Sequence, residues 1–194
     1  MAKRKKREFR RDKPHTGFLG RLYLTQNQRK SILKWFLYGL SLLVLSLLQD
    51  TVMCKVRLFG ATTDLVPLGI LLICVLQPFE TSVTFGLVSS LLFLFSGSAP
   101  GPYCIVLLTF LGFGINIFRQ SFLRKGFSAA MLCVSAAMLV YELCIFIIGL
   151  ASGLTVLSRA PGFLATALMS LIAAPALYPV MVAIGKIGGE SWKE

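Results

Sequence analysis

Residues 139–146 read LVYELCIF, and Glu142 is the only charged residue between Phe127 and Ser158. A carboxyl group in so apolar a run can relay a proton, bind a cation or substrate, or tie helices together by hydrogen bonds. Each use needs a partner. No Lys or Arg falls at a matching depth in the other apolar segments. The partners expected for it are hydroxyls and amides on other segments: Thr109 and Asn116, Ser89 and Ser90, and Ser170. Three roles stay open for Glu142: a node inside a helical bundle, a contact with a partner helix, or a part in ion or substrate transport.

Other reactive groups are few. Asp50 and Asp64 are expected to flank a loop, and Glu80 to sit near a helix N-terminus, where a negative charge suits the dipole. The only histidine, His15, lies in a basic stretch. There is no His-Glu-x-x-His and no Gly-x-x-x-x-Gly-Lys-Ser. Gly112-x-Gly114 lies inside an apolar segment and follows no strand, so it is no dinucleotide fingerprint. The five cysteines (Cys54, Cys74, Cys104, Cys133 and Cys144) form no Cys-x-x-Cys pair. In apolar segments they act as small hydrophobes, and neither a metal site nor a disulfide framework is expected. The sequence therefore assigns no catalytic residue, no cofactor and no metal, and the expectation is a protein that is not an enzyme.

The elements that would hold these residues are membrane helices. The chain has 194 residues, is 56% hydrophobic and 14% charged, and has a mean hydropathy of +0.76. Soluble domains run at about 45–50% apolar and about 25% charged. The excess lies in runs near the roughly 20 residues that cross a bilayer. Six segments can span: Ile32–Val52, Leu65–Gln77, Thr81–Phe95, Pro102–Phe118, Phe127–Leu150 and Phe163–Ile184. The second and third form a tight pair turned by QPFET. SGSAPGP and SRAPG punctuate later joints. Backbone in lipid must satisfy its own hydrogen bonds, so the segments are helices. The fold class is an all-α membrane bundle. Its domains are a basic arm at 1–31, expected to be cytoplasmic and mobile, a six-helix domain at 32–187, and a short cytoplasmic tail at 188–194.

The net charge of +12 is uneven, with twelve of the twenty Lys and Arg before Trp35. The arm has three readings. It is a topogenic tail that keeps the N-terminus inside. It also lies on anionic lipid through Lys3, Arg4, Lys5, Lys6, Arg7, Arg10 and Arg11. Or it is a nucleic-acid arm, which no recognisable module supports, so no nucleic-acid partner is assigned. The first apolar run is too long for a signal-peptide core, and no Ala-x-Ala site closes it. With the N-terminus inside, seventeen basic residues fall on the cytoplasmic side, Arg119 in the fourth-to-fifth loop among them, and three fall outside. Six spans with both termini cytoplasmic satisfy the positive-inside rule. A five-helix arrangement with a re-entrant second segment would put the 119–126 cluster outside. Small residues recur every four positions at Ala129, Cys133 and Ala137, at Thr166, Ser170 and Ala174, and at Gly149 and Gly153. These let helices pack closely, within the bundle or against a partner. Pro175 and Pro179 are expected to bend the sixth helix.

The ordered set of motifs from Ile32 to Ile187 resembles MreD, the membrane subunit of the bacterial rod-shape and cell-elongation system. It comprises LLQD with Gln49, TDLVPLGILL with Asp64, FGLVSSLLFLFSGSAPGPY with Gly86, Gly97, Gly101 and Tyr103, YELCIF with Glu142, and APALYP with Pro175 and Tyr178. Two positions depart. Ser90 stands where the family usually has Asp, and Ser170 where relatives often have Asn. The resemblance implies a non-enzymatic scaffold in the bacterial cytoplasmic membrane. Such a scaffold binds MreC and other rod-complex proteins and helps couple MreB filaments to peptidoglycan synthesis. It also implies a fold similar to the substrate-binding components of energy-coupling-factor vitamin transporters, which supplies the alternative function. Against that alternative, the first segment has no Ala-x-x-x-Ala docking pattern. The structural or partner-contact candidates are Glu142, Asp64, Gln49, Gly86, Ser90, Gly97, Gly101, Tyr103, Asn116, Pro175 and Tyr178.

Overall fold

A computed structural model describes residues 26–53, 55, 62–123 and 126–187. The basic arm through residue 25, with all seven lipid-surface candidates, and the tail from 188 lie outside the described residues. Every regular element among those described is helical: α1 (Gln26–Leu48, continued by a π-helical turn Gln49–Met53), α2 (Leu65–Leu76), α3 (Phe79–Phe95), α4 (Tyr103–Phe122), α5 (Phe127–Ala151) and α6 (Ala160–Ile187). The helical segments sit where the apolar runs placed them, but the ends differ. α1 is already helical at Gln26, inside the expected arm. α4 runs on to Phe122, because Arg119 belongs to the helix and not to the loop after it.

Four helices are long and apolar enough to cross a bilayer: α1 with its π turn, α4, α5, and α6 with the short 3-10 turn before it. That is the mark of a multi-pass membrane protein. Their outer faces carry large apolar side chains in the open, among them Phe36, Phe110 and Ile172. In water such a surface would aggregate; against acyl chains it is the right one. α2 and α3 are shorter, at 12 and 17 residues.

α2 is the centre of the molecule. All twelve of its residues are buried, and it touches each of the other five helices. Its sequence, LVPLGILLICVL, has no polar face, as expected of a helix surrounded on all sides. Pro67 fits because a first-turn residue needs no N–H partner within the helix. Pro78 ends the helix by forcing Gln77 into extended backbone, with ψ 158°. Close packing relies on Gly112 of α4. A Cβ there would stand 3.0 Å from the Cys74 sulfur of α2, whereas one at Gly86 of α3 would meet the same sulfur at an ordinary 3.4 Å.

Gly97 and Gly153 have positive φ, 76° and 68°, and end α3 and α5. This corrects the packing role expected of the Gly149–Gly153 pair. Gly149 instead uses its carbonyl to accept the N–H groups of Leu154 and Thr155 in the turn after α5. α6 stays helical through both Pro175 and Pro179.

Candidate functional site

A helix buried on every side has end groups that water cannot reach, and each unsatisfied one costs several kcal/mol in an apolar setting. α2 rises only about 18 Å. Its two ends therefore need polar side chains from the surrounding helices, and those side chains form two polar clusters.

At the C-terminal end, Asn116 of α4 donates from Nδ2 to the carbonyls of Cys74 (2.7 Å) and Gln77 (2.8 Å). Arg119 donates to the Val75 carbonyl, and Ser82 Oγ to that of Cys74 at 3.0 Å. Gln77 is fully buried and held at both ends of its amide. Lys34 Nζ donates to its Oε1 at 3.0 Å, and its Nε2 donates to Tyr38 Oη at 2.9 Å. Tyr38 in turn donates to the Met181 carbonyl on α6 at 3.2 Å. Two cations, Lys34 and Arg119, thus sit at the negative end of the α2 dipole, which favours them. Neither is a free loop charge. Both are about 95% buried, so two of the seventeen basic residues counted toward orientation are structural. Sequence reading had counted Lys34 only as a charge and assigned no role to Tyr38 or Gln77.

At the N-terminal end, Gln49 Oε1 accepts from the Val66 N–H at 2.9 Å, and Ser170 Oγ accepts from the Asp64 N–H at 2.8 Å. The side chains of Asp64 and Glu142 lie within hydrogen-bonding reach of each other. A carboxylate offers only acceptors, so a bond between two carboxyl groups needs a proton on one of them. The positive end of the α2 dipole favours whatever negative charge remains. Beside the pair, Tyr141 donates to Cys104 Sγ at 3.6 Å.

The expectation for Glu142 is therefore corrected in one respect. Its immediate neighbour is an acid from the α2 cap, not an amide or hydroxyl alone. Of the five partners expected for it, only Ser170 reaches this cluster, through Asp64. Asn116 serves the opposite end of α2. Ser90 faces Thr109, with the two hydroxyls 3.4 Å apart, and Ser89 bonds back to the Phe85 carbonyl of its own helix. Asp50, at the end of α1, accepts from Ser98 Oγ at 2.8 Å and 3.0 Å, tying α1 to the α3–α4 joint.

The remaining candidates are spread out. Gly101 lies under the Tyr103 ring, where a Cβ would meet it at 2.5 Å. Tyr103 Oη donates to the Pro100 carbonyl at 3.3 Å. Tyr178 stacks edge-on with Phe127 at 4.9 Å, joining α6 to the start of α5. Pro175 is exposed on α6. What the structure brings together, from four helical segments, is Gln49, Asp64, Glu142 and Ser170.

No protein-family model, curated protein or solved structure matches the chain.

Proposed function

We propose that this chain is a six-span MreD-like scaffold of the bacterial cytoplasmic membrane, with both termini in the cytoplasm. It binds MreC and contributes to cell-shape control and peptidoglycan synthesis through rod-complex partners rather than by catalysis. The basic arm, through Lys3, Arg4, Lys5, Lys6, Arg7, Arg10 and Arg11, adds contact with anionic lipid.

One observation carries this reading. Gln49, Asp64 and Glu142, three of the positions on which the resemblance rests, come from separate helices yet meet at one end of α2. Ser170, where relatives often have Asn, completes the same cluster. A motif set that converges in space is a unit, and its work is to fix how helices α1, α2, α5 and α6 sit together. A rigid bundle with a lipid-facing exterior suits the docking of another protein's membrane helix.

The test is deletion of the gene in its own host. The expected outcome is loss of rod shape, restored by the intact chain. Cells that keep their shape but lose uptake of a vitamin would instead support the substrate-binding component of an energy-coupling-factor-type transporter.

A further inference from the structure

A cleft of about 280 Å³ runs between α5 and α6. Its rim is open: Leu143 is 56% exposed and Leu164 55%. At its floor lie Glu142, 4% exposed, and Ala167, fully buried. Everything lining it except Glu142 is apolar. Glu142 Oε1 is buried without a hydrogen-bond partner. Its neighbour Asp64 is another carboxyl, so whichever of the two holds a proton, acceptor capacity is left over.

We propose that this cleft receives a hydrogen-bond-donating side chain from the transmembrane helix of a partner protein, with Glu142 as the acceptor. Two features select that occupant. The opening lies between lipid-facing leucines, so entry is from within the bilayer. An acyl chain would fill the apolar space but brings no donor to the one carboxyl that lines it. The small residue at the floor, Ala167, leaves the space beside the carboxyl that such a side chain would fill. This inference rests on the scaffold reading above and adds the face and the chemistry of docking.

The experiment uses the full chain co-expressed with MreC. A photo-crosslinking amino acid is placed at Leu143 or Leu164 on the cleft rim, or at Phe110 on the separate α4/α5 groove. Adducts with MreC are expected from the first two positions and not from Phe110. Ala167→Leu, which fills the floor, should lower MreC recovery roughly 5–30-fold. Gly114→Leu, in the α4/α5 groove where a Cβ meets nothing within 4 Å, should leave recovery unchanged. Adducts from Phe110 alone, or from Leu143 and Leu164 only to lipid or to a second copy of this chain, would overturn the cleft while leaving the scaffold reading standing. Failure of the unsubstituted chain to recover MreC at all would overturn the scaffold reading itself, and this inference with it.

Discussion

Glu142 and Asp64 show what a pair of acids can do where water is absent. With a proton between them they satisfy part of each other, and the α2 N-terminus steadies the pair. Glu142→Gln should keep the arrangement, since the amide can donate to Asp64 and still present an oxygen. Glu142→Leu leaves Asp64 without that partner, at a cost of roughly 1–3 kcal/mol. Thermal unfolding in detergent should therefore separate the two variants, with Gln near the parent and Leu clearly lower. Equal melting would mean that the carboxyl is not a node. The sequence pointed to Glu142 through its isolation among apolar residues, but not to its partner. Asp64 reads as a loop-edge acid by its place in the chain, but α2, at twelve residues, is shorter than the helices around it, and its N-terminal cap lies against α5 and α6. Counting depth along the helices would also have set Asn116 aside, because it lies in the last third of α4 while Glu142 lies past the middle of α5, whose chain direction is opposite.

Among the elements, α2 is the one whose needs explain its neighbours. Its LVPLGILLICVL run reads as an apolar helix, and that much was legible, although such a run fits lipid as well as a protein interior. The clusters at its ends were not, because each cap comes from a residue distant in sequence: Gln49, Ser170, Lys34, Asn116 and Arg119. Their side chains alone do not say which carbonyl or N–H they will meet. Asn116→Leu removes the donor to Gln77 and one of two donors to Cys74, and should destabilise by roughly 1–3 kcal/mol. Gly112→Val drives a side chain into the Cys74 sulfur and should also cost roughly 1–3 kcal/mol. Gly86→Ala, by contrast, meets only ordinary contact and should melt close to the parent. If Gly86→Ala proved the worse of the two, the close approach would have been assigned to the wrong helix. Gly112 had drawn notice only as a failed nucleotide motif. The tight spacing that requires it appears when α4 lies against α2.

For the whole molecule, composition alone established a helical membrane protein, because no soluble core could absorb so much apolar surface. Charge bias is the basis for orientation, and burial of Lys34 and Arg119 leaves that bias intact. The many basic residues before Gln26 still outnumber the three assigned outside. A fluorescent-protein fusion at the C-terminus should be bright, and a periplasm-dependent phosphatase fused there should be inactive. The reverse result would mean an odd number of spans or both termini outside, and either would overturn the proposed orientation. The most direct test of the scaffold is physical. The full chain, co-expressed with MreC and extracted in mild detergent, should co-purify with it. The Glu142→Gln variant should do the same, with Glu142→Leu recovering less. Clean separation of the unsubstituted chain from MreC under those conditions would contradict the account.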